Sequence, residues 1–398
     1  MKVRILAAVT LSIPATAQTY IVDDTPGAGV DFRSIAAAIS SVPPGAVLDV
    51  RPGTYTGFKL TQDVKIVGSD AAEVEVTSLV EISTIATDQP IVLSRLQLSR
   101  GVVVTDVTAP LILDNLNLVF GSSQMSQALV LNSATDVRAA RVEGAVARVT
   151  DSRLQAGDCE FFGSKSVLGD ISEAGLEVQG TSLVHLDHCS VTGADGMSCP
   201  FTGFCTPQSI SAGSGGHGAL VGPHAALRAV RCSLRGGRAG LDDACGCLFY
   251  FAERGSSLRV EGRAELWATE LFSGSAVDGY VVEPGGAVTE ATPYPSLQAS
   301  STTASSASIT LTYSAAPDSS RRLITGRLPV LEGLPGLTIG RLVTVNQLAS
   351  LGASPLTTQS FSFLQPPWPV GTVFYGQVSR TSSTGLTELS NSIAVVAR

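Results

Sequence analysis

Apolar and polar residues alternate over short runs from Leu60 to about Glu283, and many runs share one ending: a small residue, any residue, an apolar residue, any residue, glycine. It reads CEFFG at Cys159 to Gly163, CSVTG at Cys189 to Gly193 and CSLRG at Cys232 to Gly236, with ARVEG closing at Gly144 and ELFSG at Gly274. LQLSRG, closing at Gly101, and LNLVFG, closing at Gly121, carry one extra residue. Glycines 101, 121, 144, 163, 193, 236 and 274 stand 20, 23, 19, 30, 43 and 38 residues apart. Alternation with period two predicts strands that turn one face to a narrow core. A strand returning every twenty-odd residues predicts a solenoid, whose repeats bury their apolar faces only by stacking on one another. In register, Cys159, Cys189 and Cys232 then point inward as one column of small buried side chains.

Other patterns flank the repeats. Tyr20-Ile21-Val22 reads as a strand, and 32–42 as a helix whose apolar positions Ile35, Ala38, Ile39 and Val42 recur at helical spacing until Pro43-Pro44-Gly45 stops it. Val47 to Val50 is the next strand, followed by a turn at Arg51 to Tyr55. Two insertions, 194–222 and 237–255, separate the later repeats, and long loops on a rigid scaffold are where binding residues concentrate. After Gly286 a Ser-, Thr- and Ala-rich stretch, 291–308, reads as a linker. The runs Ile309 to Tyr313, Arg322 to Leu328, Leu342 to Val345, Gln359 to Leu364, Val373 to Val378 and Ser392 to Val396 then alternate like strands of an antiparallel β-sandwich over 309–398.

Lys2 and Arg4, the apolar run Ile5 to Ile13 and the small residues Ala15-Thr16-Ala17 form an export signal over 1–17, so a secreted or cell-surface protein starting near Gln18 is expected. No later apolar run is long enough for a transmembrane helix. A net charge of −8 gives no basic footprint for nucleic acid. The remaining cysteines, Cys199, Cys205, Cys245 and Cys247, lie in the two insertions, where an exported chain allows disulfides in three pairings. Cys-x-Cys with a distant His217 lacks zinc spacing, so no metal is expected.

One stretch carries a family likeness. VDFRSIAAAISSVPPGAVLDVRPGTYTGF, Val30 to Phe58, resembles the opening segment of the pectin-lyase-like, right-handed parallel β-helix superfamily: a helix of the form D-F/Y-x-x-I-x-x-A-I, then a P-P-G turn, a strand and P-G-x-Y. The resemblance implies a single-stranded right-handed parallel β-helix over 18–290 with a capping helix, three short parallel sheets per turn, and polysaccharides lying along the outer surface. That superfamily holds lyases, hydrolases, esterases and noncatalytic surface proteins, so it fixes no reaction. The ending FYGQVSRTSSTGLTELSNSIAVV is similar to C-terminal modules of exported bacterial proteins, notably of planctomycetes, which suggests attachment or sorting.

The pleat places Glu160, His188 and Arg231 in one outward row, with Arg235 close by and Asp195 and Arg238 as a second pair. A polysaccharide lyase removes the proton beside a uronate carboxylate with a base such as arginine and neutralises that carboxylate with cations or Ca²⁺, roles open to Arg231, Arg235 and Arg238. Gly216-His217-Gly218 and Asp242-Asp243 resemble elements of polygalacturonase-type hydrolases, although their order is reversed and the accompanying motifs are missing. Alternatively, such rows are solvated faces laced with weak ion pairs. The expected function is polysaccharide binding along the flank, with His188, Glu160, Asp195, His217, Tyr250 and Trp267 as contacts and no cofactor. A uronate lyase or hydrolase using Arg231, Arg235, Arg238, Asp242 and Asp243, with Ca²⁺ only for a lyase, and a structural or adhesive envelope protein remain as alternatives.

Overall fold

The computed structural model describes residues 18–118, 128–144, 146–164, 172–196, 214–239, 254–272 and 280–290, and beyond these the strands 296–301, 308–314, 320–326, 347–352, 358–364, 373–381, 387–389 and 393–396. The chain is all-β up to one short helix among the described residues, Ile35–Ser41. Ser34 opens that helix, its Oγ accepting from the Ala37 amide at 3.1 Å, and extended Val42 before Pro43 ends it. Its buried side, Ile35, Ala38 and Ile39, joins the core cluster that runs on to Leu266. Phe32, expected within the helix, instead bridges to Val22 and sets its ring 5.8 Å from that of Tyr20.

Every strand pairing described from Thr19 to Glu290 is parallel, in a sheet of seventeen strands and a sheet of nine. Parallel neighbours far apart in sequence are what coils stacked along an axis produce, so the arrangement is compatible with a parallel β-helix. The larger sheet bends along its length. Arg95, Asn115, Arg141, Asp158, His188, Arg231 and Ala268, one from each of seven coils, have φ between 46° and 57° and split the strand path into a first and a second half. Each coil therefore presents three flanks: the first-half strand, the second-half strand and a strand of the nine-stranded sheet. A second left-handed column, Thr84, Asp106, Ser133, Asp151 and Gly180, turns the chain from the nine-stranded sheet to the next first-half strand. This backbone costs a non-glycine residue roughly 1–2 kcal/mol, least for Asn and Asp, which recur in both columns.

Four corners, three in the first column and one in the second, are closed in the same way. The residue after the left-handed one points inward and donates to the carbonyl two residues back: Cys159 to Gly157 at 3.3 Å, Cys189 to Asp187 at 3.4 Å, Cys232 to Val230 at 3.2 Å and, at the other corner, Ser152 to Thr150 at 2.7 Å. The three cysteines form the expected column, 1%, 2% and 3% exposed with free thiols. Ladder bonds from Ser190 to the Cys159 carbonyl and from Ser233 to that of Cys189, 2.9 Å each, hold them in register. Burial raises the Cys189 and Cys232 thiol pKa values well above the ordinary range, so both stay protonated.

The recurring glycines answer two different demands. Gly101 and Gly144 have φ of 80° and 95°, and an added Cβ there would also overlap the carbonyl oxygens of Ala128 and Leu118. Gly163, Gly193 and Gly236 are needed for space: an added Cβ would overlap the carbonyl oxygens of Glu173, Gly216 and Gly255 respectively. Gly121 and Gly274 lie outside the described residues.

Beyond the coils the strands pair antiparallel. Ser296–Ser301, Ser308–Ser314 and Thr358–Leu364 form one sheet, while Ser320–Gly326, Gln347–Gly352, Val373–Thr381, Thr387–Leu389 and Ile393–Val396 form another. Pairing resumes at Ser296, inside the stretch expected to be a linker, because Ser296–Ser301 finds a full partner in Ser308–Ser314. No helix among the described residues is long and apolar enough to cross a membrane.

Ser152 also accepts from the buried Ala134 amide at 2.9 Å. Ser152→Ala leaves that donor and the Thr150 carbonyl without this partner, at a cost of about 1–3 kcal/mol. Denaturant unfolding reads the loss directly, and an unchanged midpoint would contradict the corner bond.

Candidate functional site

The expected outward row regroups at the corner. Register pairs Glu160 with Ser190, Ser233 and Glu270, and Phe162 with Thr192, Arg235 and Phe272, while His188 and Arg231 occupy the corner column with Asp158. Glu160 follows Cys159 whereas His188 precedes Cys189, so the two stand in different columns. On the second-half flank, two exposed columns therefore run side by side. The Arg235 guanidinium lies 5.6 Å from the Phe272 ring centroid, and Phe272 is 44% exposed.

Around the corner, on the first-half flank, lies a denser group that pattern reading missed. Asp187, 1% exposed, offers Oδ1 to His188 Nδ1 at 2.9 Å and to an Arg231 amino group at 3.1 Å. Its Oδ2 is buried without a hydrogen-bond partner. His188 remains partly exposed. A carboxylate that orients an imidazole is the arrangement a general base requires. The same geometry recurs at Asp114 and Arg141, however: in each case the aspartate precedes the corner residue of its own coil and meets the arginine at the corner of the next. The repeated element is a clamp between coils, and truncating one partner would leave a buried charge uncompensated at about 3–5 kcal/mol.

His185, Arg228 and Glu265 follow one another in register beside this group, with the Arg228 Nε donating to Glu265 at 2.8 Å. Burial lowers the His185 pKa to about 4; the nearby Asp187 opposes that shift and the Arg228 charge adds to it. Nothing in the alternation pattern distinguishes these residues from a solvated outward row. The sole available signal was Asp immediately before a corner residue.

The remaining candidates fall in several places. Asp195 accepts from the Arg238 backbone amide at 2.8 Å, so that pair meets through main chain rather than guanidinium. His217 Nδ1 accepts from the Ser256 amide at 3.2 Å. Its neighbour Gly216 serves close packing, since a Cβ there would overlap the Glu173 carbonyl oxygen. The amides of Ala194, Gly216, Gly237 and Gly255 bond in turn to the carbonyls of Glu173, Ala194, Gly216 and Gly237, 2.8–3.1 Å each, so the stems of successive insertions stack alternately at one corner. Asp242, Asp243, Tyr250 and the four insertion cysteines lie outside the described residues. Trp267 is not in a loop; it ends the strand Arg263–Trp267, in register with Val230. No group of three or more His, Cys, Asp or Glu suited to a metal occurs among the described residues.

Comparison with protein-family models, with curated proteins and with solved structures finds no match. What the fold defines is a class: an all-β protein of parallel strands stacked in coils, compatible with a parallel β-helix. The pectin-lyase-like superfamily rests on the sequence resemblance alone.

Because the His185 pKa is depressed in the folded state, the unfolded chain binds the extra proton first as pH falls. Stability is full above the unfolded value near 6.5 and declines as pH drops toward 4, by about 2 kcal/mol at pH 5 and about 3 at pH 4. Denaturant unfolding at pH 7 and pH 5 should show this slope in the native chain and a shallower one in His185→Gln. Equal slopes would remove His185 as its source.

Proposed function

We propose that the chain is an exported member of the pectin-lyase-like superfamily, a right-handed parallel β-helix that the helix Ile35–Ser41 caps and a β-sandwich follows. In this reading it binds extracellular or cell-surface polysaccharide along the second-half flank. The supporting observation is the paired outward columns, Glu160, Ser190, Ser233 and Glu270 beside Phe162, Thr192, Arg235 and Phe272, with exposed Phe272 next to the Arg235 guanidinium. Such columns repeat at the strand spacing of roughly 4.8 Å, which suits a polymer rather than a compact ligand. A sugar ring offers a C–H face to an aromatic ring and hydroxyls to carboxylate and hydroxyl side chains. Arginine adds a two-pronged contact for a uronate carboxylate. The export signal and the Val30 to Phe58 likeness agree with an extracellular glycan partner.

Affinity gel electrophoresis over a panel of acidic and neutral polysaccharides tests the reading. The native protein should be retarded by at least one acidic polymer, and Arg235→Ala with Phe272→Ala should weaken that retention roughly tenfold or more. Free migration of the native protein in every gel would overturn it. Release of an ultraviolet-absorbing unsaturated product would replace binding by lyase action.

A further inference from the structure

The three flanks of the coil stack are not equally exposed. On the first-half flank, Val67, Val92 and Ile112 point away from the interior cluster, yet they are 0%, 0% and 1% exposed. Ser94 and Asp114, in register beside them, are equally closed off. On the second-half flank of the same strands Gln97 and Asn117 are partly exposed and Glu143 is exposed, and on the nine-stranded sheet Val103 and Val130 are partly exposed. An uncovered solenoid flank is solvated, so this one face is covered. The last strand of the chain, Ile393–Val396, comes within 8 Å, Cα to Cα, of both Leu111–Leu118 and Val137–Glu143, the coils on which Ile112 and Arg138 are in register. Ser296–Ser301, the first strand after the coils, approaches Ile393–Val396 as well. Charge is complementary. Residues 291–398 carry six arginines and three carboxylates, a net +3, which leaves −11 for the rest of a chain whose total is −8.

We infer that the C-terminal module docks against the first-half flank through Ile393–Val396, over Ile112 and its register partner Arg138, and forms a wall of the molecule. The strand's sequence, IAVV, is apolar like Ile112 beneath it, and the opposite net charges of the two parts add a long-range attraction. Two consequences follow. The first-half flank around Ile112 and Arg138 is closed to an extended ligand, and whatever the C-terminal module attaches to is held at a fixed position against the coils. Docking requires no glycan, so its failure and that of the polysaccharide reading are separable.

The test uses the full-length protein with a specific protease site inserted between residues 291 and 295. After cleavage, the native sequence should elute from gel filtration as one species carrying both fragments. Ile112→Asp, which sets a carboxylate in the covered face and leaves the coil interior untouched, should weaken that association roughly tenfold or more, while Val103→Asp on the nine-stranded sheet leaves it intact. Native fragments that separate on cleavage would overturn the inference. So would an Ile112→Asp protein whose fragments stay together while Cys159, Cys189 and Cys232 remain shielded from alkylation. If Ile112→Asp exposes those thiols, the cleaved native protein alone decides.

Discussion

The fold depends on how the chain turns its corners. At each turn one residue adopts a left-handed backbone and the next points inward: an apolar side chain such as Leu96, Leu116 or Val142 in the early coils, and at Ser152, Cys159, Cys189 and Cys232 a small hydroxyl or thiol that donates to the carbonyl two residues back. At those four corners the donor matters because a corner interrupts the strand ladder, and a carbonyl left without a partner inside the core costs more than the bond returns. Cysteine and serine fit the slot since each is small enough for a narrow interior and carries one donor. Repetition turns the local solution into a global one: equivalent corners stack, and the register of every flank follows from theirs.

The same constraint arranges the charged residues. An aspartate just before one corner and an arginine at the next are brought together by the coil repeat, which explains why Asp114 with Arg141 and Asp187 with Arg231 look alike although 73 residues separate the two aspartates. Of these residues only Arg231 had been singled out as chemically interesting, and its role in the clamp comes before any role toward a ligand. His188 differs from the corner arginines in meeting the carboxylate of the residue just before it in its own coil, where Arg141 and Arg231 meet that of the coil before.

Much of the architecture was legible in the sequence because it is periodic. The column of Cys159, Cys189 and Cys232 follows from alternation and the closing glycine, and the short helix follows from Ile35, Ala38 and Ile39 at helical spacing. The flank chemistry was less legible. Alternation assigns inside or outside but not the column, and Glu160, which follows Cys159, does not share one with His188, which precedes Cys189. It also treats any outward residue as solvated. Val92, Ile112 and His185 are outward and nonetheless buried, which only the packing of distant parts of the chain can decide. Glycine was likewise ambiguous, since Gly144 answers to backbone conformation and to a close carbonyl, and Gly216 to a close carbonyl alone.

Alkylation of the folded protein at pH 8, mapped by peptide mass before and after denaturation, tests the corner register most directly. Three thiols stacked inside the coils, all nearly fully buried and two of them, Cys189 and Cys232, held protonated by that burial, should remain unmodified at Cys159, Cys189 and Cys232 until the chain unfolds, and then react fully. Modification of any of the three in the folded protein at the rate of an exposed thiol would show that the corners do not align, and the flank assignments would fall with them.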